Sequence, residues 1–340
     1  MASMSDINVL ITIPFSEPLV ERLRAVAPQV QIHVHPAKKA EDLPEELLLE
    51  IEVLYTISAL PDLEMAPKLR WIQFHFAGVD HVADHSLLRS GLQVTTLSGA
   101  AVPQIAEFAL MCILAQSRHL SAMMTDPADV RWGENHFKRY QPRELRGSMV
   151  GIVGYGSVGR EIARLCHAFG ASVLATKRDL KRLDDTGYTL NGLGDPGAEL
   201  PERLYPPQAL SSMASSCDFI VITVPLTPQT RGMIDERVFG GMKPTAYLID
   251  VSRGGVVDHG ALVEALNEKR LAGAALDVYP IEPLPESSPL WGMPNVILSP
   301  HVAGTSEHYY ERAAELFAEN LHRYHVGRPL LNLYDPDRNY

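Results

Sequence analysis

The ten residues 150–159, V-G-I-V-G-Y-G-S-V-G, restrict the fold of this chain more than any other stretch. An apolar run of strand length enters G-x-G-x-x-G at Gly154, Gly156 and Gly159, with Tyr155, Ser157 and Val158 between the glycines. Each glycine has a mechanical job beside a dinucleotide. The first allows a tight turn, the second lets backbone approach the pyrophosphate, and the third lets the next helix pack on its strand. That helix is predicted to begin near Ser157, so that its N–H groups and dipole face phosphate. Glycine-rich turns are common, and the motif by itself is weak. Here the context is complete: a strand before it, helical spacing after it (Val158, Ile162, Leu165, Phe169) and a second apolar strand at 172–175.

The same alternation runs through the chain. Short β-branched or apolar runs at 7–13, 30–34, 52–56, 70–74 and 92–95 precede the turn, and 150–153, 172–175, 219–223, 246–250, 272–276 and 296–298 make a second series. Strands alternating with helices predict the α/β class: two Rossmann-like doubly wound parallel sheets, the first flavodoxin-like. An apolar helix over 103–124 reads as a core or interdomain element. The last helix, 307–324, follows the final strand alone and needs a surface for Ala313, Leu316, Phe317 and Leu321. The first domain is the natural place. The expected division is therefore 1–118 with 303–340 for a discontinuous substrate domain, and 119–302 for the dinucleotide domain. Residues 186–207, rich in glycine and proline, read as a long surface loop or hairpin.

With 340 residues, 46% of them hydrophobic, the chain can bury two sizeable cores. A formal net charge of −11 gains nothing from a phosphate backbone, which argues against nucleic acid as a partner. The cluster Lys177, Arg178, Lys181 and Arg182 stands out against that background. No window is long and apolar enough for a membrane span, and the opening M-A-S-M-S-D lacks the features of a leader. Cys112, Cys166 and Cys217 form no C-x-x-C pair and lie in apolar segments, as buried small hydrophobes do. A cytoplasmic setting is expected.

Chemistry beside a dinucleotide needs a cation for a substrate carboxylate and a proton donor for its oxygen, and α/β sites gather at strand ends. Arg253 follows the strand 246–250 in V-S-R-G-G. A guanidinium can grip a carboxylate through two hydrogen bonds and polarise a carbonyl, and the paired glycines disfavour a plain surface arginine. His301 follows the strand 296–298 in S-P-H, where an imidazole can give and take a proton near neutrality. Glu282, in Y-P-I-E-P, reads equally as a solvated loop glutamate or as the carboxylate that fixes the tautomer of His301.

Taken together, these landmarks resemble the D-isomer-specific 2-hydroxyacid dehydrogenases along nearly the whole chain. The matching stretches are F-A-G-V-D at 76–80, I-A-E at 105–107, the glycine turn, P-L-T-P-Q-T at 225–230, V-S-R-G at 251–254, A-L-D-V-Y at 275–279 with Glu282-Pro283, and S-P-H at 299–301. The resemblance implies that Arg253 binds and polarises a small 2-keto acid such as glyoxylate or hydroxypyruvate. It implies that His301 protonates the ketone oxygen as hydride arrives, and that Glu282 assists the histidine. Ala77, Gly78 and Val79 would form the carboxylate-binding turn. Cofactor contacts would come from residues 154–159, Thr176, Lys177, Arg178, Val224, Pro225, Thr230, Val251, Ser252 and His301, with Asp277 at the carboxamide edge of nicotinamide. A homodimer joined through the cofactor domains, and closure of the two domains over the ligands, are implied too.

Three departures bear on this picture. NAD-using members of the family usually carry an acidic residue after the second cofactor strand, whereas here Thr176 is followed by Lys177 and Arg178. Two cations favour a 2′-phosphate, so NADP(H) is expected over NAD(H); the competing reading has Asp179 reach the ribose. Asp250 stands where the family has asparagine, and Ala303 where glycine is frequent. Two other readings share the scaffold: a dinucleotide-binding transcriptional corepressor, and a phosphite dehydrogenase-like oxidoreductase. The formate type is disfavoured because it resembles this family with glutamine in place of Glu282.

Overall fold

The computed structural model describes residues 6–338, so the Met1–Ser5 part of the opening read for a leader lies outside the described residues. The chain divides into two compact units. One comprises residues through Ala101, Gly187–Leu190 and the stretch from Ser306 onward; the other comprises Val102–Thr186 and Asn191–Thr305.

The first unit is built on β1 (Ile7–Ile11), β2 (Val30–Val34), β3 (Val53–Thr56), β4 (Trp71–Phe74) and β5 (Gln93–Thr95), in the order β2-β1-β3-β4-β5. All neighbours are parallel, and this is the flavodoxin-like order expected. β3 and β4 are buried along their whole length, which is why they read as unbroken apolar runs. The helix Tyr309–His325 belongs here: its Ala313, Leu316, Phe317 and Leu321 share a core with Val20, Leu23, Tyr55 and Trp71. Phe317 lies 4.7 Å from the Tyr55 ring and 5.4 Å from Trp71, centroid to centroid.

The second unit carries β6 (Met149–Val153), β7 (Ser172–Thr176), β8 (Arg203–Tyr205), β9 (Phe219–Ile222), β10 (Tyr247–Asp250), β11 (Gly273–Leu276) and β12 (Val296–Leu298). Their order is β12-β11-β10-β9-β6-β7-β8, again all parallel, and the direction of winding reverses between β6 and β9. Two α/β domains with parallel sheets, the fold class expected, are therefore present.

Three details differ from the sequence reading. The helix Val102–Ser117 belongs to the second unit, so the division falls after Ala101 and not after 118. Small residues explain this: Ala106, Ala109 and Cys112 let it sit in one core with Ile152, Ile162 and Cys166. Its Gln116 also donates to the carbonyl of Ala274 at 2.6 Å. The predicted helix over 103–124 is two helices, because His119 adopts φ +56° before Leu120–Thr125. Finally, the segment 186–207 is not all loop. Its end is β8, an edge strand bounded by Pro201, Pro206 and Pro207, whose prolines hid it. Among the described residues, no helix is long and apolar enough to cross a membrane.

Candidate active site

Parallel strands place all their C-terminal ends on one edge of the sheet. Along that edge of the second unit stand, in spatial order, His301 after β12, Asp277 and Glu282 after β11, Arg253 after β10, Val224 and Pro225 after β9, the glycine turn after β6, and Lys177 after β7. Residues scattered over half the sequence thus form a row, because the sheet order brings their strands together.

The glycine turn fits the backbone of a dinucleotide. Gly154 has φ +105°, the left-handed region that disfavours side chains. A Cβ at 159 would lie 2.2 Å from the carbonyl oxygen of Gly154, so only glycine lets the helix Ser157–Ala168 start this close to its strand. A Cβ at 156 would meet nothing within 4 Å: the space in front of it is open for a ligand's approach. Hydroxyls brace both sides. The Gly154 N–H donates to Thr176 Oγ1 at 3.1 Å, and Thr223 Oγ1 donates to the Gly154 carbonyl at 2.7 Å. Thr176 is itself buried, and its hydroxyl serves the turn. Lys177 is half-buried, and Arg178 is exposed. Burial, then the charge of Arg160, holds the Lys177 ammonium below its ordinary pKa. Asp179 is engaged within its own loop: Oδ1 accepts the Lys181 N–H at 2.9 Å and Oδ2 lies 3.8 Å from Arg182 Nε.

At the other end of the row, His301 Nδ1 lies 2.8 Å from Glu282 Oε2. The second oxygen of Glu282 accepts the Tyr279 N–H at 2.9 Å, so the carboxylate is held by backbone while it orients the ring. With Nδ1–H donating to Glu282, Nε2 is the nitrogen left to face a reactant. His301 has φ +54°, an unusual backbone for a histidine and one that recurs at functional sites. Asp277 maintains it. Its Oδ1 accepts from Ser299 Oγ at 2.7 Å and from Val302 N–H at 2.8 Å, and its Oδ2 accepts from Ala303 N–H at 2.9 Å. Asp277 is buried and clamps the histidine turn. Arg253 is partly buried, and its Nη1 donates to the Ser252 carbonyl at 2.8 Å. Gly254 follows because a Cβ there would lie 1.9 Å from the Tyr279 carbonyl oxygen. Ahead of the arginine, Asp250 is fully buried; its Oδ1 accepts the Ser252 N–H at 3.0 Å, its Oδ2 has no partner, and burial pushes its carboxyl up to about 7.

The residues from 110 to 303 match the family model described as "D-isomer specific 2-hydroxyacid dehydrogenase, NAD binding domain". A glyoxylate reductase of Thermofilum pendens is 34% identical over 94% of this chain and 91% of its own. The chain belongs to the D-isomer specific 2-hydroxyacid dehydrogenases. It is an oxidoreductase of the NAD(P)-dependent kind, acting on a CH–OH group. Solved structures agree. A D-isomer specific 2-hydroxyacid dehydrogenase from Xanthobacter autotrophicus Py2, in complex with NADPH and MES, is 28% identical with a TM-score of 0.81 over 99% of this chain and 100% of that one. An NADPH-dependent glyoxylate/hydroxypyruvate reductase from Sinorhizobium meliloti, in complex with NADP and malonate, is 26% identical with a TM-score of 0.70 over 98% of this chain and 98% of that one.

The remaining expected residues of this dehydrogenase fall as follows. Tyr155, Val251 and Ser252 are buried, so they can meet a ligand chiefly through backbone. Ser157 opens the helix, and Val158 is partly exposed beside it. Thr230 Oγ1 donates to the Pro225 carbonyl at 2.6 Å, which fixes the loop after β9. Ala77 and Gly78 are at least partly exposed and Val79 is buried; all three lie past the end of β4, in the first unit. Phe74 is buried, and so is His75, whose Nδ1 is 2.6 Å from the Tyr55 hydroxyl. The three cysteines are buried and free, and burial pushes each thiol up to about 12, as expected of small hydrophobes. The sequence reading missed Arg160 and Asp195; the signal available was a charged residue directly after the third glycine, on the strand-facing start of a helix.

Proposed function

We propose that the chain is an NADP(H)-preferring reductase of small 2-keto acids of the glyoxylate or hydroxypyruvate kind, working reversibly. The observation that carries this is the row itself: a guanidinium, a carboxylate-held imidazole and a dinucleotide turn on one sheet edge, in the order the chemistry uses them. Adjacent strands are about 4.8 Å apart, so Arg253 and His301 start about 10 Å apart at the backbone, with β11 between them. Two side chains of this length can close on a small molecule. Bound reduced nicotinamide supplies the hydride. Arg253 binds the substrate carboxylate and draws electron density from the carbonyl. His301 Nε2 gives its proton to the ketone oxygen and recovers it in the reverse direction, while Nδ1 stays bonded to Glu282. The backbone at Ala77, Gly78 and Val79 is the second carboxylate-binding element of this reading. The preference for the phosphorylated cofactor is supported by Lys177 and Arg178 and by the engagement of Asp179 within its own loop. Relatives with 26–28% identity are bound to NADPH or NADP in their own structures. A homodimer and a cytoplasmic setting belong to the same reading, the latter supported by three unpaired buried cysteines.

The test is steady-state oxidation of NADPH and of NADH with glyoxylate, hydroxypyruvate and pyruvate. Turnover of at least one acid, with kcat/KM higher for NADPH, is expected, and Lys177→Glu with Arg178→Glu should reverse that cofactor order. A folded protein that turns over none of them refutes the substrate assignment, and an unchanged cofactor ratio in the double variant refutes the NADP(H) preference.

A further inference from the structure

Arg160 follows the third glycine of the dinucleotide turn and is 1% exposed. A guanidinium is costly to bury, and it is buried here against the long segment that follows β7. Its Nη2 donates to the Leu183 carbonyl, and its Nη1 to the carbonyls of Asp195 and, at 3.2 Å, Pro196. Its plane lies over the Tyr155 ring, 5.0 Å from the centroid. The Tyr155 hydroxyl donates to Asp195 Oδ2 at 2.5 Å. Asp195 also accepts the N–H groups of Glu199 and Leu200, each at 3.0 Å. Next along the helix, Glu161 accepts the Gly194 N–H at 2.7 Å. Three residues of the cofactor turn and its helix therefore grip Leu183 and residues 194–200, which a neutral surface insertion would leave unanchored.

What the grip positions is a charge. Arg160 Nε, which makes no hydrogen bond, lies 3.7 Å from Asp185 Oδ2. Lys177 is tied to the same cluster: its Nζ lies 3.5 Å from the carbonyl of Tyr155, whose ring Arg160 covers, and the charge of Arg160 opposes its ammonium while that of Asp185 favours it. We infer that Arg160 is a positioning residue for cofactor choice, holding Asp185 by its ion pair so that Lys177 stays available to an anionic 2′ substituent. This rests on the NADP(H) reading above.

Arg160→Met keeps most of the side-chain volume and removes the charge and the hydrogen bonds. Amide hydrogen exchange is to be followed on the cofactor-free variant, and NADPH and NADH binding measured by calorimetry. Faster exchange at Gly194, Glu199 and Leu200 is expected, with β6 unchanged. NADPH should bind about tenfold more weakly, NADH less than about threefold so, and Asp185→Asn added to Arg160→Met should return most of the NADPH affinity. Unchanged exchange overturns the anchor. Equal weakening of both cofactors, or no recovery in the double variant, overturns the role in cofactor choice. Should Arg160→Met not fold, Tyr155→Phe removes the hydroxyl bond to Asp195 alone. A smaller shift in the same direction is then expected, and unaltered exchange with an unaltered NADPH-to-NADH ratio overturns the inference. Wild-type protein that prefers NADH refutes the cofactor reading and Asp185's part in it, while the exchange result still decides the anchor.

Discussion

Glu282→Gln isolates what the carboxylate does for His301. The wild-type side chain accepts two hydrogen bonds through separate oxygens, from Tyr279 N–H at 2.9 Å and from His301 Nδ1 at 2.8 Å. Glutamine has one oxygen. If it keeps the Tyr279 bond, its amide N–H₂ faces Nδ1 and favours the tautomer with the proton on Nε2. If it keeps the His301 bond, the Tyr279 N–H loses its acceptor. In both cases the charge that stabilises the imidazolium is gone. Unit charges about 4 Å apart interact by ~1 kcal/mol in water and ~4 kcal/mol at an effective dielectric of 20. The His301 and Glu282 side chains are 42% and 35% exposed, so the lower part of that range applies, ~1–2 kcal/mol after screening. That corresponds to about a 5- to 30-fold loss in kcat for keto acid reduction, with KM for NADPH unchanged. Single-turnover kinetics under saturating NADPH measure it directly. A variant with wild-type kcat shows that Glu282 does not act through His301, and a loss seen only in the NADPH KM shows that the pair was assigned to the wrong ligand.

The second and third glycines of the turn should fail in different ways. Gly159→Ala forces a Cβ to within 2.2 Å of a backbone oxygen and should lower the melting temperature markedly, whereas Gly156→Ala, with open space around it, should leave the melting temperature alone and weaken NADPH binding. Reversed results would undo the geometry given to the turn. His75 supplies a pH test in the first unit. Burial lowers its pKa to about 4, so the folded state disfavours the proton that the unfolded chain takes up near pH 6.5. Its contribution is complete above about pH 6.5 and is lost as the pH falls towards 4, a difference of ~3 kcal/mol. Urea unfolding at pH 7.5 and 4.5 should therefore show a smaller acid loss in His75→Phe than in wild type, and equal losses would contradict the burial argument.

How much of this was legible beforehand follows from what each signal depends on. Of the twelve strands among the described residues, eleven were visible: most are buried along their length and so apolar, and the edge strands β2 and β5 still carry β-branched residues; the exception, β8, is a three-residue edge strand between prolines, with too little buried surface to leave a pattern. The division at Ala101 was not visible, since an apolar helix rich in alanine suits either unit and only its partner, the helix Ser157–Ala168, decides. Arg253, Glu282 and His301 were singled out as candidates from strand ends and family landmarks, yet the bond between Glu282 and His301 depends on sheet order, which periodicity does not encode. Asp277 shows the limit from the other side. The family resemblance gave it a contact with the carboxamide edge of nicotinamide, and its three accepted hydrogen bonds, which no sequence pattern showed, also support the His301 backbone. Arg160 was passed over because a charged residue on a helix ordinarily reads as solvated.

The central claim is that Arg253 and His301 act on one substrate beside one cofactor. It is tested most directly by preparing Arg253→Ala and His301→Asn and measuring, on the same samples, NADPH affinity and keto acid turnover. Removing a charged two-point grip or a general acid should each lower kcat/KM by about 10²–10⁴-fold, with NADPH bound to within a few-fold of wild type. Turnover that survives either substitution, in folded protein that binds NADPH, would contradict the account.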